Sequence, residues 1–141
     1  MESKYDVFIS YRQSDADTIF VKQKLIPYFN HCGLKTFVDY KNFRLGVPLI
    51  KEMERGVLES KFTLAILSPK YLESTFTEFE NIIAEHLGLI NSQRRLICAM
   101  IEQCNPRLSI QAKLWLDFTS QAKFENNIDT LVLALKENSE L

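Results

Sequence analysis

Glycine is scarce in this chain. Only Gly33, Gly46, Gly56 and Gly88 occur in 141 residues. Sites that cradle phosphates on bare backbone need more. No Gly-x-x-x-x-Gly-Lys-Ser/Thr is present and no Gly-x-Gly-x-x-Gly follows the first strand pattern, which argues against P-loop hydrolysis and the usual dinucleotide fingerprint. Histidine is scarcer still: His31 and His86 have no partner at metal-ligand spacing, and no metal site is expected. A serine hydrolase would need Gly-x-Ser-x-Gly or an equivalent, and none is found. The three cysteines, Cys32, Cys98 and Cys104, are odd in number and match no zinc or redox spacing. A reduced, cytoplasmic setting is the simplest expectation. Apolar runs such as "LAIL" (64–67) and "LICAMI" (96–101) fall far short of the roughly 20 residues that span a bilayer, and "MESKYDVFIS" holds no signal-peptide core; no membrane partner is expected. No Lys/Arg block stands out and the net charge is −1, so nucleic acid is not the expected partner. Any chemistry must run on carboxylates, Arg, Lys and backbone groups.

The chain does have material for a core. Hydrophobic residues make up 46% and charged ones 25%, the balance of one globular domain. Residues 5–10 ("YDVFIS") read as a buried strand. Ser14 and Asp15 are cap candidates for an amphipathic helix from Ala16 to about His31, which Pro27 should kink or break and Gly33 should end. Residues 34–38 form a second strand and 39–48 a loop. A helix then opens at Pro48, with Leu49, Ile50, Met53, Val57 and Leu58 on one face. Residues 62–68 form a buried third strand. A short irregular piece leads to a helix at about 76–91. Residues 95–101 form a fourth strand and 113–118 a fifth, at the edge. The last helix, 121–137, turns Phe124, Ile128, Leu131, Val132 and Leu135 inward. Alternating strands and helices predict an α/β fold: a five-stranded parallel sheet covered on both faces. Ligands of such sheets sit beyond the C-terminal strand ends, here Ser10–Asp15, Asp39–Pro48, Ser68–Thr75 and Glu102–Ser109.

Several ordered stretches together resemble a TIR domain (Toll/interleukin-1 receptor/resistance protein type). "YDVFISYRQSD" (5–15) resembles the family's first strand. "FVDYKNFRLGVPL" (37–49) resembles the second strand and the BB loop, with Asp39 and Gly46 in place. "TLAILSPKYLEST" (63–75) resembles the third strand and its continuation. "LWLDFTS" and "FENNIDTLVLAL" resemble the last strand and helix. The resemblance spans nearly the whole chain. It implies a three-layer, flavodoxin-like fold, and a single TIR domain that is expected to belong to a longer multidomain protein.

The family contains assembling adaptors and enzymes that cleave NAD⁺, some of them forming cyclic ADP-ribose. The enzymes share a glutamate on the third helix, four residues after an aromatic, usually Trp. Phe76 and Glu80 match that pair, with Phe in place of Trp. The resemblance therefore implies an NAD⁺ nucleosidase in immune or stress signalling, antiphage defence included, with Glu80 as the catalytic carboxylate. It implies no cofactor, since NAD⁺ is the substrate. The substrate-binding set it implies is Tyr11, Arg12, Asp39, Phe43, Arg44, Gly46 and Phe76. The expected partners are NAD⁺ and other TIR domains met through the BB loop. The alternative is a non-catalytic adaptor.

Local physics separates Glu80 from its neighbour Glu78. Thr75-Phe76-Thr77-Glu78 reads as a capping box, which gives Glu78 a structural duty. At about 100° per residue, Glu80 lies roughly 85° from the centre of the face formed by Phe79, Ile82, Ile83, Leu87 and Ile90. A charged boundary residue of this kind is more often merely solvated; the resemblance shifts Glu80 toward function. For Arg12 a surface salt bridge is the competing reading, and for the BB loop a mobile solvated loop. Trp115 reads as packing.

Overall fold

The computed structural model describes residues 3–75, 96–105 and 115–137. Its five strands are β1 (Tyr5–Ser10), β2 (Thr36–Phe37), β3 (Ser60–Leu67), β4 (Leu96–Met100) and β5 (Trp115–Asp117). They form one sheet in the order β2-β1-β3-β4-β5, every neighbouring pair parallel. The register pairs Ile9 with Leu64, Leu67 with Met100, and Met100 with Asp117. β3 lies at the centre, and all of it but Lys61 is buried. Its near-continuous apolar run is what a strand covered on both faces requires.

One face of the sheet carries the helical run 15–31 and the final helix. The run consists of α1 (Asp15–Ile19), a π-helical segment (Phe20–Leu25) and α2 (Ile26–His31). Pro27 does not break it. The Ile26 N–H still bonds the Val21 carbonyl at the wider i→i+5 spacing, and the register returns to i→i+4 around Pro27. The extra residue is absorbed where a donor is missing anyway. Gly33 follows at φ 80°, the left-handed end that glycine adopts without strain. The final helix, α5 (Gln121–Lys136), is capped by Ser120, whose side chain accepts from the Lys123 N–H. Its predicted inward residues Phe124, Ile128, Leu131, Val132 and Leu135 are all buried. Each contributes about 1.5–3 kcal/mol of burial.

The opposite face carries α4 (Leu49–Glu59), after a single helical turn, α3 (Asp39–Asn42), that interrupts the predicted loop. Pro48 precedes α4 as its cap, the Pro48 carbonyl accepting from the N–H groups of Lys51 and Glu52. The buried face of α4 differs from the sequence reading. Met53 and Val57 are buried as predicted, but Leu49, Ile50 and Leu58 are exposed, and Glu52 and Gly56 take the inward positions. Glycine is there because Phe8 of β1 occupies the space a side chain would need. Cys98 is buried, and Trp115 packs beside the core on this face.

The segment after β3 also departs from expectation. Residues 69–75, expected to be irregular, are helical, and residues 71–75 are π-helical; the helix expected at about 76–91 lies outside the described residues. Ser68 caps the segment 69–75: the Ser68 carbonyl accepts from the Leu72 N–H and the Ser68 Oγ from the Tyr71 N–H at 3.2 Å. Pro69 follows at the first helical position, where its missing N–H costs nothing. Thr75 is the last described residue of this segment, and the capping box read at Thr75–Glu78 lies largely outside the described residues. Phe76, Glu78, Glu80 and His86 lie outside the described residues.

Candidate functional site

At the C-terminal edge of β1 and β2 lies a cleft of about 140 Å³. Its apolar floor is made by the buried Phe8 and Met53 with Phe43, the exposed Leu49 also lines it, and Ser10, Arg12, Gln13 and Asp39 supply its polar groups. Parallel strands deliver these groups together because β1 and β2 end side by side and α4 crosses beneath. Of the residues expected to bind substrate, the cleft unites Tyr11, Arg12, Asp39 and Phe43. Arg44 and Gly46 do not line it, and Phe76 lies outside the described residues.

Asp39 is rigidly held. The Tyr11 hydroxyl donates to its Oδ1 at 2.8 Å, as does the Tyr40 N–H, and Gln13 Nε2 donates to Oδ2. A carboxylate offers about four acceptor sites; these three donors, counted among the described residues, leave about one for a hydroxyl in the cleft. Burial, and then the bond to Asp39, push the Tyr11 phenol above its ordinary pKa. It stays a neutral donor at physiological pH. Arg12 is exposed. Among the described residues its guanidinium, which lines the cleft, pairs with no side chain, so the competing salt-bridge reading finds no partner there.

Arg44 is engaged elsewhere. Its backbone N–H, Nε and Nη2 all reach the carboxylate of Glu52, at 2.7, 3.1 and 2.8 Å. Arg55 adds two more bonds to the same group. Hydrogen bonds from Arg55, then Arg44, hold the Glu52 carboxyl at a pKa of about 2, below its ordinary 4.5. The ionised form is the folded one. Its stabilisation is complete above about pH 4.5 and is lost as pH falls toward 2. Glu52 was not singled out from the sequence. The available signal was an acid three residues before Arg55 on the helix that carries the loop.

A second polar chain fills the crevice between β1 and β3, where the strand order reverses. The Ser68 Oγ donates to the buried Asp17 Oδ2 at 2.5 Å, and the Tyr71 hydroxyl bonds the Ser10 Oγ at 2.8 Å. Burial raises the Asp17 pKa; Ser68 opposes that shift, while Glu102 adds to it. The chain ends at Ser10, a cleft residue. It ties the start of the helical segment after β3 to the wall of the site.

The sequence profile of the TIR domain matches residues 7–132. This chain belongs to the TIR-domain family. Among its relatives is the NAD(+) hydrolase TirS of Staphylococcus aureus, 31% identical over 114 residues that cover 74% of this chain and 39% of that protein. Another is a probable 2′ cyclic ADP-D-ribose synthase, TcpB, of Brucella melitensis, 29% identical over 62% of this chain and 35% of that protein. A third is Toll-like receptor 6 of Homo sapiens, 26% identical over 78% of this chain and 13% of the receptor. The chain thus spans well under half the length of these relatives. The TIR domain of the Toll-related receptor TRR-2 from Hydra magnipapillata superposes with a TM-score of 0.76 at 20% identity, over 95% of this chain and 100% of that one. The five-stranded parallel sheet is the sheet of this flavodoxin-like fold. Among the described residues no helix is long and apolar enough to cross a membrane.

Proposed function

We propose that this TIR domain cleaves the nicotinamide–ribose bond of NAD⁺. The observation that carries the reading is the convergence on one cleft of a guanidinium, Arg12, that has no side-chain partner among the described residues, and a carboxylate, Asp39, that these residues clamp while leaving it an acceptor site. These are complementary to a pyrophosphate and a ribose hydroxyl. The similarity to two NAD⁺- or ADP-ribose-related bacterial proteins supports the same reading. The cleft is well under the roughly 300–1,000 Å³ of a small-molecule site. It takes one moiety of the dinucleotide, and the remainder rests on Phe76, Glu80 and a neighbouring copy. In the reaction the C1′–N bond breaks and its electron pair leaves with neutral nicotinamide. Glu80 stabilises the oxocarbenium-like ribose. Water, or a hydroxyl of the same molecule, then adds to C1′ and releases a proton, giving linear or cyclic ADP-ribose.

The test is NAD⁺ consumption by concentrated wild-type protein against Glu80→Ala; absence of turnover in the wild type under assembling conditions overturns the enzyme reading. Arg12→Ala is expected to raise KM for NAD⁺ roughly 10–100-fold, the worth of one or two hydrogen bonds to a charged group, with kcat little changed. Steady-state kinetics measure this, and an unchanged KM removes Arg12 from the site.

A second reading is supported by the BB loop, on which Leu45 is fully exposed and Leu49 and Ile50 extend the apolar surface. Here the domain acts as an adaptor through TIR–TIR contacts. The two readings are compatible if assembly activates cleavage, in the cytoplasm, within an immune pathway. Gly46, beside Leu45, has φ 80° with open space around its Cβ position. Gly46→Val therefore meets no clash but costs about 1–2 kcal/mol of left-handed backbone strain. The loop is expected to change shape and weaken self-association in sedimentation while the melting temperature falls by less than about 8 °C. Unaltered self-association counts against the loop.

A further inference from the structure

We propose that Glu52 is a positioning residue for the cleft: through Arg44 and Arg55 it fixes the peptide groups on both sides of Phe43. The inference rests on the NAD⁺-cleaving reading for its kinetic consequence, but its geometry stands alone. Phe43 lies between α3 and α4 on an extended backbone and supplies part of the apolar cleft floor. An extended residue in a loop has no regular structure to hold it. Here the preceding carbonyl, of Asn42, accepts from Arg55 Nη2 at 2.6 Å. The following N–H, of Arg44, donates to Glu52 Oε2 at 2.7 Å. Both grips come from α4, so the Phe43 ring is set relative to Leu49 and Met53, the α4 residues that share its cleft.

The two arms are unequal. Arg55 is four-fifths buried on its side chain and its guanidinium lies 4.7 Å from the centre of the Phe37 ring, an anchored cation. The Arg44 side chain is 59% exposed. Glu52, at 1% exposure, cannot lose these donors without leaving a buried charge unpaired. Glu52 therefore holds the loop, Arg55 fixes Glu52, and Arg44 closes the grip from the solvent side. The Phe43 ring in turn packs 6.4 Å from Phe8 and 5.9 Å from Phe37, which joins the loop to the core.

Two measurements on wild type, Glu52→Gln and Arg55→Lys test this. Amide hydrogen exchange reads the loop. The Arg44 N–H is expected to be protected in the wild type although its residue is exposed, and to exchange at least about tenfold faster in Glu52→Gln while β1 and β3 amides keep their protection. Kinetics read the cleft. KM for NAD⁺ is expected to rise about tenfold with kcat within about threefold, the pattern of lost binding rather than lost chemistry. Arg55→Lys keeps the charge but loses the planar fork, and is expected to shift KM the same way by a smaller factor. It also serves if Glu52→Gln does not fold. A freely exchanging Arg44 amide in the wild type overturns the proposal, and so does a released loop with unchanged KM. If the wild type shows no turnover, the NAD⁺ reading has failed, and exchange alone decides whether Glu52 holds the loop.

Discussion

Glu80→Ala is expected to lower NAD⁺ turnover by at least about 100-fold, the loss typical when one preorganised electrostatic group is removed from a transition state. The departing nicotinamide of NAD⁺ already carries the positive charge that becomes neutral on leaving, so no acid is needed to protonate it. Charge builds instead on the ribose, and a fixed carboxylate is the complementary group. Glu80→Gln separates two contributions. It retains an acceptor for the ribose hydroxyls but not the charge, so it is expected to lose nearly as much kcat while KM stays near the wild-type value. Turnover is followed by nicotinamide release. The matching Glu78→Ala variant carries unusual weight. Ser68 caps the helical segment that follows β3, whereas the capping box read at Thr75–Glu78 is a sequence expectation only, so the preference for Glu80 rests chiefly on its spacing from Phe76. Loss of turnover in Glu78→Ala with retention in Glu80→Ala reverses the assignment.

The strands and the final helix were legible because their sequence patterns carry the physics that holds them. β3 is apolar along nearly its whole length because it is central, and α5 repeats its inward residues at helical spacing. α4 was less legible. Leu49, Ile50 and Leu58 fit an apolar stripe, yet they face solvent, and periodicity alone cannot tell a stripe that meets a core from one that waits for a partner. The inward place of Glu52 was hidden for a related reason. A glutamate is buried only when its donors are present, and one of the two, Arg44, comes from a loop whose path no periodicity describes. At the cleft, Tyr11, Arg12, Asp39 and Phe43 were found through the family resemblance. Gln13 and Ser10 were not, because their roles depend on β1 and β2 ending side by side. The Ser68-Pro69 pair was read only as the end of a strand, although the same two residues are a cap and a first helical proline.

The second large effect concerns a glycine far from any turn. Gly56→Val is expected to destabilise the domain by about 3 kcal/mol, at the upper end of what overpacking a core costs, and to lower the melting temperature by roughly 10 °C. A Cβ at Gly56 would stand 2.7 Å from Phe8 Cδ1 and 2.8 Å from its Cγ. The Phe8 ring cannot swing aside, because it is held edge-on against Phe37 at 5.6 Å and lies 6.4 Å from Phe43. Glycine in a helix ordinarily costs about 0.5–1 kcal/mol relative to alanine, so its presence mid-way along α4 marks close packing of helix on sheet. The clash also has a functional direction, since Phe8 forms part of the cleft floor beside Phe43 and Met53. Gly56→Ala, with the same first atom but less bulk, is expected to be milder. Pairing either variant with Phe8→Leu should recover part of the lost stability, a coupling that calorimetry on the double-mutant cycle measures. Strict additivity of the two substitutions would show that the ring and the helix do not compete for this space.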